Sequence, residues 1–150
     1  MSTSTRFEEH RMPLGRRISK DVAARMEADR RLADSYRERL ADASAAEAAL
    51  RTAQGEGAPA HEVKALEIAF DQALTVALEA AQAAERVAMG PKVYVPEGQD
   101  GAARRAAEIA ERKARARWSV RPWTDEVERL RTARETHRLS FRAGRGVAVA

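Results

Sequence analysis

The 150-residue sequence contains no cysteine, and aromatic side chains make up only 5% of it. The chain therefore cannot form a disulfide bond or a thiolate metal site, and the reducing cytoplasm is the expected compartment. The core is also limited, because 33 of the apolar residues are alanine, whose methyl group buries little surface. We expect one domain with a thin hydrophobic core.

Long apolar runs are missing as well. The segment Met1–Arg17 has two glutamates and a histidine at positions 8–10, where a secretory signal needs an apolar stretch, and Pro13 and Gly15 interrupt it. The most apolar window, Ile68–Ala84, carries four polar side chains that would be costly inside a bilayer. The sequence predicts a flexible N-terminal arm over residues 1–17, no signal peptide and no membrane partner.

Apolar residues spaced alternately four and three apart indicate two long helices. The first is predicted from Lys20 to Gln54 with Ser19 as its N-cap, and the second from about Ala60 to Met89. The segment Gly55–Pro59 ends one helix and starts the next, since glycine favours a C-cap and proline a first turn. Residues 18–90 are therefore expected to form a long antiparallel hairpin that resembles a coiled coil.

The apolar seam of this hairpin is predicted to mediate association. Its two helices have more apolar surface than two shorter following helices can cover, so a second copy or a protein partner would cover the remainder. The predicted association residues are Val22, Met26, Tyr36, Leu40, Leu50, Leu66, Phe70, Leu74 and Leu78. The same side chains would also be buried in the interior of a monomeric bundle, and the sequence leaves that alternative open.

The remaining chain divides into a linker at residues 91–101 and a basic helical region at residues 102–150. Within the linker, Lys92–Val95 is predicted to be a short extended segment. A third helix is predicted over Ala102–Trp118, capped by Asp100 and supported by the opposite-charge pairs Glu108/Arg112 and Glu111/Arg115.

A break at Pro122 separates this helix from a fourth one, predicted from Thr124 to about Ser140 and followed by a loose tail. The apolar stripe of the fourth helix is weak and consists of Val127, Leu130, His137 and Phe141. The fold class is thus all-α: a long helical hairpin, two shorter helices, a flexible arm and a C-terminal tail.

Charge is distributed unevenly along the chain. Residues 55–100 have 3 basic and 8 acidic groups, and residues 101–150 have 13 basic and 6 acidic groups. The stretch from Arg104 to Arg121 alone contains seven basic and two acidic side chains. The predicted contacts to nucleic acid or to an acidic partner are Arg104, Arg105, Arg112, Lys113, Arg115, Arg117 and Trp118.

A second interpretation of this stretch assigns it a structural role. Trp118 and Trp123 would anchor the corner between the third and fourth helices on the hairpin, and the arginines would meet the acidic second helix or water.

The sequence has no recognisable catalytic or metal-binding motif. Its three histidines, His10, His61 and His137, lack a second ligand or carboxylate at the spacing that a metal site or a general base needs. We therefore predict neither an enzyme nor a cofactor.

Taken together, these patterns favour a non-enzymatic helical interaction or assembly protein, such as a component of a viral or mobile-element assembly. It would self-associate or bind a partner through the hairpin, and its basic C-terminal region would be a docking segment. The alternative is a nucleic-acid-binding accessory protein that uses residues 104–121.

Overall fold

The residues that the structure describes form five α-helices joined by short connections. The computed structural model describes residues 18–149, and the side chains of residues 18–143. The helices are α1 (Lys20–Asp34), α2 (Tyr36–Gly55), α3 (Ala60–Met89), α4 (Gly101–Arg115) and α5 (Arg121–Val149). The described residues include no β-strand, and the all-α prediction is confirmed. None of the helices within this range is long and apolar enough to span a bilayer.

Two predicted helix starts have the expected capping geometry. The Ser19 side chain accepts a hydrogen bond from the backbone N–H of Val22, at the start of α1. The Asp100 carboxylate accepts bonds of 3.1 and 3.2 Å from the backbone N–H groups of Ala102 and Ala103, at the start of α4. Each cap pairs backbone donors that the first helical turn leaves without a partner.

Helix α3 lies at the centre of the fold and packs against α1, α2 and α5. The largest core cluster combines buried residues of three helices: Ala43 and Leu50 from α2, Phe70, Leu74, Ala77, Leu78 and Ala81 from α3, and Val127 and Leu130 from α5. Fully buried alanines on α3 let its neighbours approach closely, because a methyl group occupies little space. The wide apolar face of α3 thus contacts a third helix in addition to the hairpin partner.

The first long helix of the sequence prediction is divided in two. Ser35 separates α1 from α2, and its hydroxyl donates a 2.6 Å hydrogen bond to the carbonyl of Leu32. A serine hydroxyl can bond nearby backbone groups and so compete with helical hydrogen bonding. The prediction of one continuous helix from Lys20 to Gln54 is wrong at this residue.

The linker also differs from its prediction. Pro91–Val93 forms a 3₁₀ turn, so the extended segment predicted at Lys92–Val95 is wrong at Lys92 and Val93, whereas Tyr94 has an extended backbone conformation. Proline suits the first position of such a turn, and the turn directs Tyr94 into a cluster with Val22 and Met26. Tyr94 is 8% exposed, so this connection is fixed to α1 by burial.

The helices of the basic region have different bounds from those predicted. Helix α4 ends at Arg115, whereas α5 begins at Arg121 and continues to Val149, where the sequence predicted a loose tail. Pro122 lies in the first turn of α5, where its missing N–H has no helical partner to lose. The arm predicted at residues 1–17 lies outside the described residues.

Candidate functional site

The nine predicted association residues all pack, fully or partly buried, against other residues of the same chain. Five of them, Val22, Met26, Leu50, Leu74 and Leu78, are 2–6% exposed, and Phe70 is 8% exposed. The other three, Tyr36, Leu40 and Leu66, are partly buried against the main core cluster. Their apolar character is explained by the core of a single chain.

Helix α5 covers the part of α3 that the sequence analysis expected to remain exposed. With 29 residues, α5 is longer than predicted, and its Val127 and Leu130 are 3% and 1% exposed within the main cluster. The argument that the hairpin has more apolar surface than its own chain can cover is therefore wrong. Self-association stays a prediction, but these nine side chains do not support it.

Helix α4 buries small residues on one side and exposes charged side chains on the other sides. Only Ala107 and Ala114, seven residues apart on the same side of the helix, are buried. They attach α4 to the 3₁₀ turn and the end of α3. Methyl groups are the only buried anchors, so the long side chains of α4 remain on its outer faces.

Four cationic side chains of α4 have no carboxylate partner among the residues that the structure describes. Arg104, Arg105, Arg112 and Lys113 are exposed and form no ion pair with any described residue. Of the two pairs expected within α4, only one forms: Arg115 Nη2 lies 2.5 Å from Glu111 Oε1. The expected ion pair of Glu108 and Arg112 does not form among the described residues, although exposed Glu108 lies one turn from Arg104 and Arg112 and offsets part of their charge. Arg115 is therefore largely neutralised, whereas the other four cations have no direct ionic contact with a described residue.

The corner between α4 and α5 is fixed by the residues on either side of Trp118. Arg117 Nη2 donates a 2.5 Å hydrogen bond to the carbonyl of Met89 at the end of α3. Val120 is fully buried against Met89 and Ala114. Arg117, predicted to bind a partner, thus holds the corner on the bundle.

The two tryptophans have different environments. Trp123 contacts Tyr36 edge-on, with ring centroids 5.3 Å apart, and this agrees with the predicted anchoring role. Trp118 is 86% exposed, so the prediction that it anchors the corner is wrong. Val120, two residues further on, fills the interior position instead.

We define the α4 surface as the exposed cationic side chains of α4 that form no ion pair with a described residue, together with the exposed apolar side chains Ile109 and Trp118. Its members are Arg104, Arg105, Ile109, Arg112, Lys113 and Trp118. Ile109 and Trp118 are two of the five large apolar residues that the described chain exposes. The α4 surface therefore combines positive charge with one accessible aromatic ring.

The predicted contact between the basic region and the acidic helix occurs through α5. Arg138 donates from Nε to Asp71 Oδ1 on α3 over 2.7 Å. This hydrogen bond lowers the pKa of Asp71 most strongly, against the opposing effect of burial. The cations of the α4 surface have no such contact, and their charge is available to another molecule.

A second surface feature is a groove of about 300 Å³ between α3 and α5. Three of its polar side chains are engaged within the chain: Asp71 pairs with Arg138, and His137 Nε2 lies 2.8 Å from the carbonyl oxygen of Glu67. Phe70 packs on the His137 ring, with centroids 4.7 Å apart. These side chains hold α5 on α3, and the groove offers no arrangement of nucleophile and base.

The histidines and carboxylates do not assemble a metal site within the described chain. No group of three or more potential ligands occurs there. His61 is exposed at the start of α3, His137 packs as described above, and His10 lies outside the described residues.

Several contacts could not be foreseen from the sequence. The four-and-three spacing from Val22 places Asp29 in the apolar seam as a polar interruption, and Asp29 accepts two hydrogen bonds of 2.9 and 3.0 Å from Arg86. Tyr94 donates to the same carboxylate over 2.5 Å. The interruption in the repeat was the only available signal, because a polar residue at a core position requires a partner.

Searches of protein-family models, curated proteins and solved structures found no match to this chain. Its functional interpretation therefore rests on the geometry of the surfaces described above.

Proposed function

We propose that the chain is a non-enzymatic helical interaction protein that docks a polyanionic macromolecule on the α4 surface. The observation that carries the proposal is the exposure of Arg104, Arg105, Arg112 and Lys113 without a carboxylate partner among the described residues. Cations on one helix repel each other, and a polyanion that neutralises them gains attraction from several charges at once.

The arrangement of α4 supports a docking role. Arg105 and Arg112 are seven residues apart, two helical turns, and so lie on the same side of α4, opposite the buried Ala107 and Ala114. A partner that approaches this side meets both guanidinium groups together. Arginine is well suited to such contacts because its planar fork can bind phosphate or carboxylate oxygens bidentately.

The connections around α4 also favour a preformed surface. Asp100 caps its first turn, and Arg117 and Val120 fix the corner after its last turn. A docking helix whose first turn is capped and whose last turn leads into a fixed corner loses less conformational freedom when it binds than a segment that must first fold.

The experiment that tests the proposal removes charge at matched places. One variant carries Arg105→Gln, Arg112→Gln and Lys113→Gln, and the control carries Lys20→Gln, Arg37→Gln and Lys64→Gln. All six side chains are exposed, and none has an ion pair in the described structure. Glutamine has a helix propensity close to that of arginine and lysine, so both variants should keep their helices.

Fluorescence anisotropy with labelled polyglutamate and labelled nucleic acid at low salt measures the outcome. We expect the α4 variant to bind its best polyanion about tenfold or more weakly, and the control within about threefold of wild type. Equal losses in both variants would show that only net charge matters, and absence of binding by wild type to either polyanion would reject the function.

A further inference from the structure

Trp118 is far more exposed than any other large apolar side chain in the described part of the protein. Its exposed fraction is 86%, whereas Ile18, Ile68, Ile109 and Leu139 are 45–54% exposed. Burial of an indole ring is strongly favourable, and a tryptophan in a small protein is usually mostly buried. Trp118 therefore contributes little to the packing of its own chain.

The backbone that carries Trp118 is well fixed. The N–H of Arg117 donates to the carbonyl of Ala114 over 2.9 Å, and the N–H of Val120 donates to the carbonyl of Arg117 over 3.0 Å. With the Arg117 side chain bound to Met89 and Val120 buried, the ring extends into solvent from an ordered turn. An exposed ring on a fixed turn is a suitable platform for stacking.

The side chains around the Trp118 ring favour a nucleic acid over an acidic protein as the polyanion. Protein interfaces need an apolar core, but Ile109 is the only other large apolar side chain exposed along α4. The rest of that outer surface consists of alanine, arginine, lysine and glutamate. A nucleic acid strand needs only cations for its phosphates and a ring for a base, and both are present.

The ring also distinguishes single from double strands. In a duplex the base faces are covered by neighbouring base pairs, and only unpaired bases can stack on an aromatic side chain. Building on the proposed function, we propose that the α4 surface binds single-stranded nucleic acid, with an unpaired base stacked on Trp118 and the strand's phosphates paired with Arg105, Arg112 and Lys113. The contacts are to backbone and base face, so binding does not depend on sequence.

Fluorescence of the full chain with Trp123→Phe tests this contact, because Trp118 is then the only tryptophan. Phenylalanine preserves the aromatic contact with Tyr36. The probes are a thymidine oligonucleotide of about 20 residues, a duplex of the same length, and polyglutamate as the protein-like polyanion. We expect the single strand to quench Trp118 and to bind more tightly than the duplex at equal salt.

Two variants on the wild-type background separate stacking from charge. Trp118→Ala should bind the oligonucleotide about tenfold more weakly, while Trp118→Phe should stay within about threefold, because phenylalanine retains a stacking face. Duplex binding as tight as single-strand binding, with no effect of Trp118→Ala, would overturn the inference and leave the proposed function intact. Binding of polyglutamate in preference to both nucleic acids would also overturn it. Failure to bind any of the three probes would reject the proposed function itself.

Discussion

Asp29 and Arg86 form a bidentate ion pair that joins α1 to α3 across 57 residues of sequence. The Tyr94 hydroxyl donates to the same carboxylate, so three separate segments meet at one side chain. Burial alone would raise the pKa of Asp29, but the hydrogen bonds from Arg86 and Tyr94 outweigh it and hold that pKa below its usual value. The ion pair thus replaces an apolar contact in the seam between the two helices.

Asp29→Asn should lower the free energy of unfolding by about 1–2 kcal/mol, because Arg86 loses its counter-charge. The loss stays at the lower end of the range for buried pairs since the Arg86 side chain is 44% exposed. Urea unfolding followed by circular dichroism measures it. Glu27→Gln is the matched control: it removes a 54% exposed carboxylate from the same helix and should change stability by less than about 0.5 kcal/mol. Equal effects would contradict a special role for Asp29.

Acid should destabilise the fold through carboxyls whose pKa is lowered in the folded chain, and Asp29, Asp71 and Glu126 are three of these. Hydrogen bonds from the Ser19 hydroxyl and the Glu97 backbone N–H lower the pKa of Asp21 as well. Hydrogen bonds from Arg138 and Arg129 are the largest influences that lower the pKa values of Asp71 and Glu126, and Asp29 is lowered as described above. A depressed pKa contributes stability above the unfolded value of about 4 that is lost as the pH falls through the folded value.

We therefore expect the urea midpoint to be nearly constant from about pH 7 to about pH 5, and to fall steeply below about pH 4. Asp29→Asn should lessen that fall, since one of these carboxyls no longer takes up a proton. A variant that loses stability on acidification as steeply as wild type would show that Asp29 is not linked to folding.

The sequence predicted the helices well where local signals determine them. Ser19 and Asp100 cap helices because their side chains reach the backbone N–H groups two or three residues ahead, which is a local property. The Gly55–Pro59 connection is equally local. The extent of α5 was not predicted, because it depends on packing against α3 rather than on neighbouring residues. The break at Ser35 was not predicted either, because a serine hydroxyl can bond a nearby carbonyl without ending a helix, and the residue type alone does not distinguish the two outcomes.

Leu74→Ala should destabilise the monomeric fold by about 2–5 kcal/mol, because Leu74 is 4% exposed in the main core cluster. Ile68→Ala, two turns away on α3 and 45% exposed, is the control and should cost much less. Thermal unfolding across a range of protein concentrations adds a second test. If the seam were an interface between copies, the wild-type melting temperature would rise with concentration and Leu74→Ala would remove that rise, and the two results together would contradict the single-chain core.

The two tryptophans should differ in their importance for stability. Trp123→Ala should lower the free energy of unfolding by about 2 kcal/mol, since it removes a half-buried ring and its contact with Tyr36. Trp118→Ala should change it by less than about 0.5 kcal/mol, because that ring is 86% exposed. Chemical denaturation of both variants measures the difference. A large loss in Trp118→Ala would show that this ring supports the fold.

Tyr36 should ionise late in an alkaline titration. Burial and the hydrogen bond to Glu126 raise the pKa of Tyr36 to about 12. A raised pKa contributes stability that is present below the unfolded value of about 10 and is lost as the pH rises through the folded value. Ultraviolet difference spectra of Tyr94→Phe, which leaves Tyr36 as the only tyrosine, should show this shift. Ionisation of Tyr36 near pH 10 in the folded protein would contradict its burial.

The composition of the candidate site was foreseen better than its geometry. The basic stretch at 104–121 identified the right segment, because clustered charge is visible in sequence. The sequence could not separate Arg117, which binds the Met89 carbonyl, from Arg112, which remains without an ionic partner among the described residues. It also could not tell which tryptophan is buried, since that depends on how the α4–α5 corner meets α3.

The most direct test of the α4 surface is the salt dependence of its binding to single-stranded DNA. A dissociation constant measured between about 50 mM and about 200 mM salt should give a straight line of log affinity against log salt, with a slope of about −0.7 for each phosphate neutralised. The variant with Arg105, Arg112 and Lys113 replaced by glutamine should have a slope smaller in magnitude by about 2. The same slope in the variant and wild type would contradict the account, because those three side chains would then make no contact with the strand.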